Sequence, residues 1–467
     1  GITVVTGGFS VVVGPSISSI APTALGVGAT AQTLTINGAN FVSGATVAFS
    51  GTGVTAGATT FVNATQLLVN VTVAAGSATG ARSMTVTSGG VAVTLTNGFT
   101  VNPGPTITSV TPASRGQGAQ NQSLTVAGTG FVAGITPVFS GTGVTVNSVT
   151  VNSATSLTVN VSVAAAATTG ARSLTLTNVD KGTATLATGL TVNAGPTVTS
   201  LAPASLAAGA TSQSVVITGT GFVTGAVASF TGTGITVNST TFTSATSITA
   251  NVTVSAGATL GVSDVTVTNP DAGNRTLVGG FTVVAPATVT AASPTSVGVG
   301  AVTKTITVNG TNFLPTSTVA FSGTGITVNS VTFGSATSLG VVVTIATTAT
   351  LGLRNVTVTS GGLPVTLTGA ITLVSAPTVT GFVSGTSTAA GQGAVTRTFS
   401  ITGTAFDPAA TVEFSNPGVT VNATTWTSST AMTVTISVSL TATVGASDVR
   451  VVNPNYGTGI RTGGLTI

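Results

Sequence analysis

From Leu157 to Val163 apolar and polar side chains alternate without a break, with Leu157, Val159, Val161 and Val163 on one side and Thr158, Asn160 and Ser162 on the other. A period of two is that of a β-strand with one face in a core and the other in water. The segment from Arg172 to Thr177 alternates likewise. Between such runs stand glycine turns, F-S-G-T-G at 139–143 and F-T-G-T-G at 230–234, where glycine permits positive φ. No stretch carries a helical period; the alanine run 164–167 has no cap and leads straight into Thr-Thr-Gly. The pattern predicts an all-β chain with about seven short strands per unit.

The unit is set by a hexapeptide that occurs five times: INGANF (36–41), VAGTGF (126–131), ITGTGF (217–222), VNGTNF (308–313) and ITGTAF (401–406). The phenylalanines Phe41, Phe131, Phe222, Phe313 and Phe406 are 90, 91, 91 and 93 residues apart, the regular period of a tandem array. Five repeats are predicted, at 14–103, 104–194, 195–285, 286–375 and 376–467. Most open on a proline, as in GPSISSIAP (14–22), GPTITSVTP (104–112) and GPTVTSLAP (195–203). A proline at a seam fixes φ and cannot donate to a ladder, so it suits a short, stiff joint. Residues 1–13 match the repeat ends NGFTV (97–101), TGLTV (188–192), GGFTV (279–283) and GGLTI (463–467). They read either as the last strand of a preceding repeat or as a donor strand that completes a neighbouring molecule.

The order of elements is specific: a leading P-x-I-x-x-x-x-P, a glycine-bearing loop, an apolar strand, G-T-x-F, an aromatic F-S-G, a G-x-R-x-V/L-x-V strand and a closing G-F-T-V. It resembles the IPT/TIG domain, best at Gly310–Phe313, and the resemblance covers essentially the whole chain. It implies a linear array of five immunoglobulin-like β-sandwiches plus an extra N-terminal strand. IPT/TIG-like domains also accompany carbohydrate-active enzymes. The fifth repeat departs from the pattern: GFVSGTSTAAGQG (381–393) lacks the second proline, and FSNPG (414–418) replaces the turn.

Composition narrows the function classes. Only 3% of residues are charged, and ten Lys and Arg stand against six Asp and Glu. The pI of 10.8 therefore reflects a net charge of +4 spread over five repeats. No three basic residues cluster, so no nucleic-acid partner is expected. There is no Cys and no His, which removes disulfides, the commonest metal ligand and the commonest general base. Mean hydropathy is +0.63, yet Thr, Ser, Asn or Gly interrupts every apolar run, and no membrane span is expected. One Trp and one Tyr do not make the girdles of a membrane barrel. No export signal is seen, so an exported chain would be numbered here from after it.

Individual residues give no catalytic, cofactor or metal site. The recurrent phenylalanines are expected in the core. Trp426 and Tyr456 are too few to form a sugar-stacking platform. Asp407 and Glu413 are the only acids paired within one repeat's early strands, but nothing around them suggests the substrate contacts of a glycosidase. Asp271, in the N-P-D-A-G-N turn, is explained by turn chemistry without calcium. Asp264 and Asp448 occupy equivalent places and are expected to pair with Arg275 and Arg461 across a hairpin. Repeats one, two and four carry Arg82, Arg172 and Arg354 one position earlier; with no acid in their own repeats, Arg82 and Arg354 are expected to face solvent, a glycan or another chain. Lys181 and Lys304 are the only lysines, which excludes an isopeptide cross-link in every repeat. Sequons stand at Asn63, Asn70, Asn121, Asn160, Asn238, Asn251, Asn274, Asn309, Asn355 and Asn422. Asn70, Asn160 and Asn251 fall on the polar face of one strand in successive repeats, and covalent glycans there would help solubilise a nearly uncharged β-protein. The resulting expectation is a non-enzymatic, extracellular or cell-surface structural rod that self-associates into a filament, stalk or layer, or else an adhesin whose fifth repeat contacts glycan or protein.

Overall fold

The structure, a computed structural model, describes residues 12–467. The expected strand at 1–13 thus falls almost wholly outside the described residues. The first repeat sets the pattern, with strands β1 (Ser16–Ala21), β2 (Ala24–Gly26), β3 (Gln32–Ala39), β4 (Thr46–Phe49), β5 (Val54–Asn63), β6 (Gln66–Val73), β7 (Gly80–Ser88) and β8 (Val91–Asn102). One sheet has the order β1-β3-β6-β5 and the other β2-β8-β7-β4. All pairings are antiparallel except β2 with β8, which is parallel. The next three repeats reproduce both sheets, and the fold is a tandem array of immunoglobulin-like sandwiches. The sequence counts about seven strands because its pattern treats β1 and β2 as one; a cis proline (Pro22, Pro112, Pro203 or Pro294) marks the crossing between the two sheets.

The alternation seen in the sequence maps onto burial without exception in β6 and its equivalents. Leu157, Val159, Val161 and Val163 are fully buried while Thr158, Asn160 and Ser162 face outward. The G-T-x-F motif has a steric cause. Phe313 is 2% exposed, and a Cβ on Gly310 would collide with both its ring and the carbonyl oxygen of Thr288 in the strand equivalent to β1. The same glycine–phenylalanine contact recurs at Gly38, Gly128, Gly219 and Gly403. The residue before each phenylalanine is left-handed, with φ of 59° at Asn40, 57° at Asn312 and 56° at Ala405, and 70° at Gly130 and Gly221. Glycine and asparagine tolerate that region best.

The fifth sandwich keeps the β1-β3-β6-β5 sheet, but its second sheet has three strands, Thr411–Phe414, Ala446–Val452 and Thr458–Thr466. Where β2 would lie, the chain makes an isolated bridge between Ser384 and Ser387 and a single parallel bridge from Ala389 to Thr466. The departure noted at 381–393 is therefore a strand reduced to a bridge.

Candidate inter-repeat interface

The arginines turn inward. Arg172 and Arg354 are each 9% exposed and Arg82 is half-buried. Their guanidinium groups lie over Gly141, Gly323 and Gly51 and donate to the carbonyls of Thr168, Thr350 and Ala78. They clip the F-S-G-T-G turn to the loop after β6, so the expectation that Arg82 and Arg354 face solvent or a partner is corrected. Ser263 and Ser447 hold the same position in repeats three and five. In the fifth, Asn416 of F-S-N-P-G takes over the clip, donating to Thr443 O at 2.7 Å and accepting from Gly418 N at 2.9 Å.

The expected pairs Asp264–Arg275 and Asp448–Arg461 are likewise not formed. Arg275 stands opposite Val267, on the other face of the hairpin from Asp264. The carboxylates of Asp264 and Asp448 instead accept the amides of Gly279 and Gly463, each at 2.8 Å, a bond that Asn355 makes to Gly369 at 2.9 Å in repeat four. Asp407 caps its own turn through Ala409 N at 2.9 Å, and Glu413 meets Arg450 at 3.4 Å in an exposed pair. Trp426 donates Nε1 to Phe406 O at 3.1 Å. Among the described residues no group of three or more metal-ligating side chains occurs.

The sequons separate by environment. Asn63, Asn70, Asn121, Asn238 and Asn422 are exposed, whereas Asn160, Asn251, Asn274, Asn309 and Asn355 are half-buried. Asn147 and Asn238 donate to Asn160 and Asn251 at 2.8 Å and 2.6 Å, forming polar ladders across the outer face of the sheet. Asn274 is held between repeats by a bond to Gly118 O at 3.0 Å.

That last contact belongs to the arrangement through which each repeat meets the next. The turn joining β7 to β8 in one repeat lies against the β2 equivalent of the repeat before it. Three turns share a sequence: Asn178-Val-Asp180-Lys-Gly182, Asn269-Pro-Asp271-Ala-Gly273 and Asn453-Pro-Asn455-Tyr-Gly457. Their fold follows from the residue types. The first asparagine is buried and donates its side-chain amide to the G-T-x-F loop, at Gly130 O, Gly221 O and Ala405 O. The third residue accepts from the glycine amide two positions on, at 3.0–3.1 Å. The fourth, Lys181, Ala272 or Tyr456, is left-handed, with φ of 64–66°.

So shaped, the turn offers its middle carbonyl to the preceding repeat. Gly26 N donates to Asp180 O at 2.9 Å, Gly116 N to Asp271 O at 3.1 Å and Gly298 N to Asn455 O at 2.8 Å. Gly26, Gly116 and Gly298 must be glycine, because a Cβ on any of them would strike Gly182, Gly273 or Gly457. Between repeats three and four the joint uses the shorter turn Ser360-Gly361-Gly362. Ala207 N donates to Gly361 O at 2.8 Å, and the two-residue turn leaves room for the alanine methyl. Side chains from the turn complete the preceding core: Leu363 packs on the third sandwich, Tyr456 on the fourth and Ala272 on the second. Lys304 sits over the Tyr456 ring, 5.2 Å from its centroid.

Two joints carry a further carboxylate clamp. Asp180 Oδ2 accepts from Asn102 at 3.0 Å and Asp271 Oδ2 from Asn193 at 2.9 Å, tying the turn to the last strand of the preceding repeat. Asn274 N and Thr183 N add bonds to Gln117 O and Val27 O at 3.0 Å and 3.1 Å. Burial pushes the Arg115 guanidinium below its ordinary range, and the Asp271 carboxylate opposes that shift. The joints escape the sequence reading because each half looks like ordinary turn chemistry. The available signal is the co-occurrence, in adjacent repeats, of a Gly-x-Gly segment and an Asn-x-Asp/Asn-x-Gly turn that begins 152–155 residues after it.

Comparison with models of protein families agrees with this architecture. Residues 15–102 match the family model of the IPT/TIG domain, and residues 104–192 match that of quinohemoprotein amine dehydrogenase, alpha subunit domain III. No curated protein matches the chain. Among solved structures, the plexin A4 full extracellular region aligns over 97% of this chain at 14% identity and a TM-score of 0.33, and the chain spans 43% of that protein. The eight N-terminal Ig domains of Down syndrome cell adhesion molecule align over 97% at 9% identity and 0.21, with 69% of that chain covered. Invasin, a bacterial integrin-binding protein, aligns over 80% at 14% identity and 0.20, with 82% of that chain covered. With its first repeat matched by the IPT/TIG family model and the same two sheets repeated along the chain, the protein is a tandem array of immunoglobulin-like repeats of which the first is similar to the IPT/TIG domain.

Proposed function

We propose that the chain is a non-enzymatic, extracellular structural protein, a rod of sandwiches in a surface filament, stalk or layer. The observation that carries this reading is that all four joints are closed by the same bond, from a β2-type amide to the carbonyl of the following turn. A chain of sandwiches linked only through prolines would bend at each seam. A backbone bond at every seam, joined by a glycine-on-glycine contact at three of them and an inserted side chain at three, resists bending and transmits load.

Self-association is the second half of the proposal. The β5 strand and its equivalents, Val144–Ser153, Ile235–Ser244, Ile326–Ser335 and Val419–Ser428, are ten-residue sheet edges without a single charge or proline. Such edges offer unpaired backbone groups to a second chain, moderated here by two register shifts in each. With so little charge, repulsion between rods is slight. Glycans, where present, would sit on the exposed sequon asparagines.

Electron microscopy of native material, without refolding, tests the reading. Ordered filaments or sheets with an axial period commensurate with one sandwich are expected. Separate rods that never associate would refute the assembly role and favour an adhesin.

A further inference from the structure

The fifth sandwich keeps the glycine segment of the receiving edge, though its β2 ladder is reduced to one bridge, and among the described residues that segment is uncovered. Gly391-Gln392-Gly393 align with Gly116-Gln117-Gly118 at the period of the array, and the following two local bonds are shared. Gly118 N and Gly393 N donate to Val163 O and Val438 O at 3.1 Å and 3.0 Å. Gln117 and Gln392 donate Nε2 to Ala167 O and Ala442 O at 2.6 Å and 2.8 Å. In the second sandwich the edge is occupied: Gly116 is buried and donates to Asp271 O, and Gln117 Oε1 accepts from Gly195 N at 3.1 Å. Gly391 is exposed, with open space where a Cβ would project.

We propose that Gly391–Gly393 is a docking site for a further immunoglobulin-like sandwich bearing an Asn-x-Asp/Asn-x-Gly turn between its last two strands. The occupied joints supply the selectivity. A glycine at the receiving position meets a five-residue turn whose own glycine lies against it, at Gly26, Gly116 and Gly298; an alanine, Ala207, meets Ser-Gly-Gly. Gly391 is of the first kind. The turn of the chain's first sandwich, Ser88-Gly89-Gly90, whose two glycines are exposed, is of the second. A second copy docking head-to-tail through that turn is therefore mismatched, and the fitting partner resembles the third repeat, with Asn-Pro-Asp-Ala-Gly. This follows from joint geometry and is independent of whether rods bundle laterally.

The test extends the full chain with a second copy of residues 193–285 joined directly to Ile467, which reproduces the junction between the second and third repeats. Amide hydrogen exchange is read at Gly391, with Gly116 as the internal reference. Exchange at Gly391 should slow at least about tenfold. It should stay fast when the turn of the added copy, equivalent to 269–273, is changed to Ser-Gly-Gly. Equal exchange in the two extended chains overturns the proposal. So does slowing at Gly391 in the unextended chain as its concentration rises, which would make a second copy the occupant. A variant that needs no added unit is Ser114→Ala with Arg115→Ala, which places the fifth repeat's Ala-Ala-Gly-Gln-Gly before the native Asn-Pro-Asp-Ala-Gly turn. Gly116 should remain protected; its loss, with the core strand amide of Val126 still protected, would show that the fifth repeat's edge cannot receive the turn.

Discussion

Replacing Asp271 by alanine should loosen one joint and leave both flanking sandwiches folded. The carboxylate accepts from Gly273 N at 3.0 Å inside the turn and from Asn193 across the joint at 2.9 Å. Each bond is worth about 0.5–1.5 kcal/mol net, and the one to Asn193 is exposed, so the loss should be about 1–2 kcal/mol, or roughly 5- to 30-fold in the population of the opened joint. The side chain of Arg115, buried beside the joint and always charged, loses its opposing carboxylate as well. The readout is amide exchange at Gly116 and Asn274, whose N–H groups bond across the joint to Asp271 O and Gln117 O. Both should quicken by that factor while core amides such as Val126 and Ile217 stay unchanged. Asp271→Asn is the informative control, because Asn455 already fills this place in the fourth joint and holds Gly457 N at 3.0 Å; it should fall between wild type and alanine. Unchanged exchange in Asp271→Ala, or an asparagine variant looser than the alanine one, would refute the clamp.

Other perturbations probe the sandwich itself and its surface. Gly310→Ala places a methyl against the Thr288 carbonyl and the Phe313 ring and should destabilise the fourth sandwich by more than about 2 kcal/mol, whereas Gly76→Ala, in open space, should stay within about 0.5 kcal/mol; proteolysis mapped to each repeat separates the two. Arg172→Ala removes the clip between the turn at Gly141 and Thr168 and should cost about 1–2 kcal/mol, read as faster exchange in 140–143 and 164–169; Arg172→Lys, lacking the planar fork, should rescue little. In a glycosylating host, peptide mass mapping should find sugar on exposed sequons such as Asn63 and Asn422 but not on Asn274, whose side-chain amide is committed to Gly118 O and Ala272 O. Sugar on Asn274 in folded protein with intact joints would contradict its placement.

Much of the fold was legible because two simple signals agree. The period of two puts Val159 and Val161 in the core, and the interval between phenylalanines counts the sandwiches. The split of the first strand was not legible: β2 is three residues long, too short for any periodicity, and its parallel partner β8 lies some seventy residues on. The arginines were misread because a lone cation without a nearby acid looks solvent-seeking. A backbone carbonyl also accepts from a guanidinium, if more weakly than a carboxylate, and no sequence pattern marks which carbonyls are free.

The scarcity of charge acquires a structural meaning once each acid is followed to its partners. Asp264, Asp271, Asp180, Asp407 and Asp448 each accept a backbone amide in a turn or hairpin, and Glu413 pairs with Arg450. Where a neutral acceptor suffices, one is present: Asn355 and Asn455 make the bonds that aspartates make elsewhere. The acids are thus spent on backbone amides rather than on a charged surface, and the two that span joints, Asp180 and Asp271, also reach an asparagine of the preceding repeat. A surface left almost entirely to Thr, Ser, Asn and Val has little long-range field with which to steer a charged ligand. It suits short-range contact between similar surfaces, where hydroxyls and amides can pair once two chains have met. The same economy is what the proposed rod, packing against its own kind, would require.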